Sequence, residues 1–361
     1  LNRFILSKYH SYKVNHMEKK PVGIKNRESN IELLRIVLML MIITHHLIVH
    51  SGLAKNALFI SMDVFTIIAV NCFVFISGYY GIKFKAKTLL SFIVQAVFYS
   101  VATYLIYHAF ISTEDYSTKE LIHSFFPVTY VRWWFLSAFL GVYILSPFIN
   151  KGIDSLNIYQ SGFILIALLY LNCSYPVTKY NFYSGDGCTF FNLLCIYILA
   201  RFCSKYIKDI KKPLILYICT YLLTLLLIYI LLANSYADIA WRLIAYSSPL
   251  VILGAVLFFY TFRKIKIKSN VINKIAPLCF GVYLIHDTAD TRSLIKGFIE
   301  QINNAVTNPL IMGLTVIGIA ILIFIVCASI EKIRQIIFNP IIDAIDKKRS
   351  VLFLKIEKYN V

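Results

Sequence analysis

Apolar residues run almost unbroken along this chain, without the half-polar alternation of strands or the one-sided stripe of soluble helices. A helix needs about 20 apolar residues to cross the hydrocarbon of a bilayer. Runs of about that length occur at 31–50, 57–80, 88–110, 133–149 and 161–173, and again at 190–204, 213–233, 243–262, 271–286 and 308–330. This pattern predicts an all-α, polytopic integral membrane protein of about ten transmembrane helices, with short connections and no soluble domain between them.

Composition and charge sharpen the picture. Hydrophobic residues make up 59% of the 361 and charged residues 15%, and the mean hydropathy is +0.71, which leaves too little polar surface to cover a soluble globule. The formal net charge of +18 does not point to nucleic acid, because Lys and Arg sit in short tracts between apolar runs. With the N-terminus placed inside, about 28 of the 36 basic residues fall on one side and 7 on the other (Lys55, Lys119, Arg132, Lys179, Arg242, Arg292, Lys296). The remaining one, Arg35, lies within the first run. That asymmetry predicts N- and C-termini both cytoplasmic, in a multi-pass protein of a bacterial plasma membrane. The expected organisation is a basic cytoplasmic segment over 1–30, a membrane domain over 31–335 and a cytoplasmic tail over 336–361. The first methionine is Met17, which makes 1–16 a candidate mis-called start. Most of the eight cysteines lie inside apolar runs, and no metal-ligand spacing occurs, so no metal is expected.

The first run carries the chemistry. Glu32, Arg35, His45, His46 and His50 interrupt an otherwise lipid-compatible helix, where ionisable groups are costly unless paired or functional. Arg35 and His46 are eleven residues apart, about three turns plus 20°, so they share one stripe at an axial separation of about 16 Å. Imidazole is the usual general base near neutral pH, able to take a proton from a hydroxyl as it attacks an activated carbonyl. Arg35 is too far away to act on the same atom and suits the polar part of a donor entering from the cytoplasm. A long, thin donor would connect the two. His45 leaves the identity of the base open, and an ion pair between Glu32 and Arg35 at the inner interface is the plainer reading of those two.

The segment Arg27, then Ile31-Glu32-Leu33-Leu34-Arg35, ten residues, then His46 resembles the first-helix signature of the membrane acyltransferase family 3. Four further stretches resemble that family in order and spacing: Cys72 to Tyr79 with Ser77-Gly78, Trp133-Trp134-Phe135-Leu136, Ser146-Pro147-Phe148, and Phe280 to His286. Glu32 stands where the family usually has Asp, and His45 is additional. The resemblance implies O-acetyl transfer from cytoplasmic acetyl-CoA to a hydroxyl of a surface polysaccharide or its lipid-linked oligosaccharide precursor. It makes His46, Arg35, His45 and Glu32 the candidate catalytic residues and Ser77, Lys83, Trp134 and His286 the candidate substrate-binding ones. Lys83 would contact donor phosphates or anionic lipid, Trp134 a sugar or the membrane interface, and His286 and Asp287 are expected at a depth comparable to His46. A polytopic transporter or flippase is the alternative, although matching Gly/Pro-broken halves are not evident.

Overall fold

A computed structural model describes residues 28–111, 117–180 and 183–358, with side chains described to residue 340 except at 177 and 339. Residues 1–27, and with them the candidate start and Arg27, lie outside the described residues. Every regular element described is helical. In order these are α1 (Ser29–His50), α2 (Ala57–Thr66), α3 (Ala69–Tyr80), α4 (Ala86–Phe110), α5 (Thr118–Ser124), α6 (Trp134–Ser155) and α7 (Ile158–Asn172). There follow α8 (Phe190–Tyr206), α9 (Pro213–Ala233), α10 (Pro249–Arg263), α11 (Asn270–Ile275), α12 (Cys279–His286), α13 (Ala289–Ala305) and α14 (Pro309–Lys358). Two short helices, Tyr175–Thr178 and Ala237–Arg242, lie in the connections.

Among the described residues, six helices are long and apolar enough to cross a membrane: α1, α2 with α3, α4, α6, α9 and the Pro309–Phe338 part of α14. α7 and α10 are shorter apolar helices. A helix satisfies its own backbone groups, which is why sequences this apolar adopt it. Each of the ten predicted runs falls on helix, with local differences. The 57–80 run is interrupted at Ile67 and Ile68, whose dihedrals stay near helical values (ψ −26° and −15°). The 243–262 run becomes helical only at Pro249, a residue suited to the first helical position because it lacks the amide hydrogen that would be unpaired there. The 271–286 run passes through a 3₁₀ turn, Ala276–Leu278, at Pro277. α13 falls outside all the runs. It is amphipathic, with Ile295, Ile299 and Ile302 turned to the core and Leu294 and Phe298 exposed.

The two ends of the bundle are built differently. At the end bearing the basic loops, tyrosine hydroxyls and side-chain amides hold extended backbone. The Ile82 amide donates to the Tyr197 hydroxyl (3.0 Å), which donates to Asn150 Oδ1 (2.9 Å), and the Lys85 amide donates to the Tyr143 hydroxyl (3.0 Å). Gly81 begins this segment at φ +70°, a conformation that suits glycine, with the Arg201 guanidinium 2.9 Å from where a Cβ would stand. Gly78 lets α3 lie against α8, since a Cβ there would be 2.7 Å from Ala200 Cβ and from the Tyr197 carbonyl.

At the opposite end, a ladder of buried amides ties the connections together. Asn172 donates to Asn192 Oδ1 (2.8 Å), and Asn192 donates to the Gly187 carbonyl (3.0 Å) and to Asn71 Oδ1 (3.4 Å). Asn71 in turn donates to the Tyr246 carbonyl (2.8 Å).

Between the ends, Glu331 of α14 is 1% exposed and accepts from Tyr99, Gln95, Arg334 and Gln335 at 2.7–3.0 Å. Gly281 of α12 faces it, and a Cβ at that position would stand 2.5 Å from Glu331 Cγ, Cδ and Oε2. Gly281→Ala must therefore push the carboxylate off its partners. Overpacking of this kind costs about 1–3 kcal/mol, expected as a lower unfolding temperature in detergent. An unchanged melting curve would mean that α12 and α14 can part without cost.

Candidate active site

α1 sets one wall of the site. Arg35, Met39, Ile42 and His46 recur at intervals of four, three and four residues, the spacing of one helical face, and all four line a cavity of about 380 Å³. That volume is in the range of small-molecule sites, about 300–1,000 Å³. The cavity is bounded at the basic end by Arg35, Ser77, Ile82, Tyr143 and Pro277, and at the other by His46, Trp134, Tyr246, Tyr283 and Asp287. Its middle is apolar, walled by Met39, Val70, Phe73, Phe92, Phe139 and Phe280. Polar groups thus sit at the ends of an apolar passage.

At the basic end, Arg35 keeps a weak contact with Glu32 (4.0 Å) and is 37% exposed, and its Nε is buried without a hydrogen-bond partner. Its guanidinium is therefore largely uncommitted. At the far end the geometry fixes proton positions. His286 Nδ1 lies 2.7 Å from the Val282 carbonyl oxygen, which can only accept, so this nitrogen carries the hydrogen. In a neutral His286 ring, Nε2 is then the acceptor, and it lies 3.1 Å from His46 Nδ1. His46 therefore donates from Nδ1 and carries its lone pair on Nε2. The buried carboxylate of Asp287 stands 3.4 Å from the same Nδ1, and Arg292 Nε stands 3.7 Å from Asp287. An imidazolium formed at His46 would meet a countercharge at once. Trp134 and Tyr246 line the same end of the cavity in a tilted contact, with ring centroids 5.5 Å apart and planes inclined at 38°.

A family model describing an acyltransferase domain, that of acyltransferase family 3, matches residues 28–330. The chain belongs to acyltransferase family 3. No curated protein and no solved structure matches it. The matched stretch contains every cavity residue named above, so this family 3 protein is an acyltransferase with several membrane-spanning helices and an internal polar-ended passage.

Of the residues singled out from the sequence of this acyltransferase, the structure brings Arg35, His46, Ser77 and Trp134 to the cavity wall and His286 against His46. Glu32 stays beside Arg35 and does not line the cavity. His45 turns away from it, its Nδ1 2.6 Å from Asp63 Oδ1, a pair that anchors α1 to α2. Lys83 is exposed on the extended segment at the basic end, away from the cavity wall. Tyr246 escaped sequence reasoning because it lies inside the predicted 243–262 run, where nothing marks the stretch before Pro249 as non-helical, and the amide ladder holds its backbone at the site. Asp287, expected with His286 at the depth of His46, stands 3.4 Å from His46 Nδ1.

Proposed function

We propose that this acyltransferase moves an acetyl group from acetyl-CoA, entering from the cytoplasm at the basic end, to a hydroxyl of an envelope glycan or its lipid-linked precursor at the histidine end. The supporting observation is the continuous cavity with Arg35 at one end and His46 at the other. The proposal includes about ten spans in a bacterial plasma membrane, six of them the long helices above, with both termini cytoplasmic.

Arg35 binds donor phosphate oxygens, for which a planar guanidinium with free donors is well suited. The pantetheine arm fills the apolar middle and brings the thioester carbonyl to His46. The Nε2 lone pair accepts the proton of the acceptor hydroxyl as its oxygen attacks the carbonyl carbon. Asp287 stabilises the imidazolium that results. When the C–S bond breaks, the proton passes to the departing sulfur, which leaves as the free thiol of CoA and restores neutral His46. Trp134 and Tyr246 offer an aromatic face for a sugar ring.

The test is transfer of label from acetyl-CoA to lipid-linked glycans by the purified protein. No thioester turnover with any acceptor would overturn the proposal. Arg35→Ala is expected to raise the donor KM by about tenfold or more, with a smaller effect on kcat, because the lost contact serves ground state and transition state alike. A loss confined to kcat would remove Arg35 from donor binding.

A further inference from the structure

We infer that His46, His50 and Asp287 form a transition-metal site at the histidine end of the cavity, taking an ion of the zinc class, and that its occupancy stops acyl transfer. One ligand atom from each residue lies within 4.8 Å of the other two. His46 and His50 are four residues apart on α1, so their rings project from one helical face, and the ring centroids are 5.2 Å apart. Asp287 closes the triangle from the end of α12. Zinc holds imidazole and carboxylate ligands at about 2.0–2.2 Å, so small side-chain rotations suffice to close the set around an ion.

Independent observations point to a ligand here. Asp287 is 5% exposed, and its Oδ1 has no hydrogen-bond partner. His50 Nε2 is likewise buried and unpartnered. Leaving buried polar atoms unsatisfied costs about 1–3 kcal/mol each, and an ion would satisfy both. A second, small cavity of about 10 Å³ adjoins His46 and His50, its other polar lining residues being Ser51, His286, Arg292 and Lys296. That is about the room one water needs. Two imidazoles, one carboxylate and an open position are the donor set of an accessible zinc site, whereas magnesium and calcium require mainly oxygen. The hydrogen bond from His46 to His286 supplies the outer-sphere support that ligating histidines usually have. Arg292 competes for Asp287 and limits affinity.

The effect on transfer rests on the proposed function, because the ion would engage the imidazole that acts there as base. Binding itself does not depend on that reading. The experiment titrates the purified full chain, stripped with chelator, with Co²⁺ and then Zn²⁺. It records the visible Co²⁺ bands and binding heats, and in parallel acetyl transfer. The wild type is expected to bind one ion with intense tetrahedral Co²⁺ bands and to lose transfer reversibly on Zn²⁺ addition. His50→Gln should retain metal-free transfer while weakening Zn²⁺ binding and inhibition by about tenfold or more. His50→Cys, which restores a zinc ligand, should regain both. Absence of stoichiometric Co²⁺ or Zn²⁺ binding to folded wild type would overturn the inference, as would inhibition unchanged in His50→Gln or transfer raised by Zn²⁺. Metal binding without any acetyl transfer by the stripped protein would leave the site standing and overturn the proposed function instead.

Discussion

Purified His46→Ala is expected to lose about 100- to 10,000-fold in kcat for acyl transfer, with the donor KM nearly unchanged. The reason lies in the hydrogen-bond directions. The Val282 carbonyl fixes the tautomer of His286, and His286 fixes that of His46, so the lone pair at Nε2 is positioned before substrate arrives. Alanine removes that lone pair and leaves the donor contact at Arg35 intact. His286→Gln should cost less, since it disturbs the orientation of the base and leaves the base itself in place. His45→Ala tests the rival assignment. Its imidazole is committed to Asp63 and does not line the cavity, so its loss should lower stability more than kcat. Full transfer by His46→Ala at matched folding would refute the base assignment.

Glu331→Ala should destabilise the protein by about 3–5 kcal/mol, the usual cost of breaking a buried pair from one side. The carboxylate is the common acceptor for Gln95, Tyr99, Arg334 and Gln335, and Arg334 is itself 8% exposed. Its removal strands a guanidinium and several donors in an apolar setting. A double replacement, Glu331→Met with Arg334→Leu, strands no charge and should unfold at a higher temperature than the single variant. Equal melting of the two in detergent would show that packing against Gly281, and not charge, holds α4, α12 and α14 together.

The long helices were legible because hydropathy is a sum over many residues and tolerates local irregularity. The interruption at Ile67 and Ile68 was not, because apolar residues continue on both sides of it and their ψ of −26° and −15° departs from the helical value of about −42° by only a modest angle. α13 was missed for the opposite reason. Its mean polarity resembles that of a loop, and only the recurrence of Ile295, Ile299 and Ile302 reveals the buried face. The Arg35 to His46 stripe could be read from spacing because both residues share one helix, where phase is fixed by geometry. The contacts of His46 with His286 and Asp287 join segments 240 and 241 residues apart in sequence, and no local pattern carries that information. Arg334 enters the count of inner-side basic residues like any other, since a tally of Lys and Arg cannot tell a buried arginine from a solvated one and takes no account of Glu331.

His46 borders both the main cavity and the small pocket beyond it, so in the proposed membrane arrangement its ring would also be part of the seal between the donor passage and the histidine end. Shortening it would thin the barrier to protons and ions at the same point where it removes the base. In living cells a collapsed membrane potential could then pass for lost catalysis, and activity in detergent, where no gradient exists, is the measurement that separates the two.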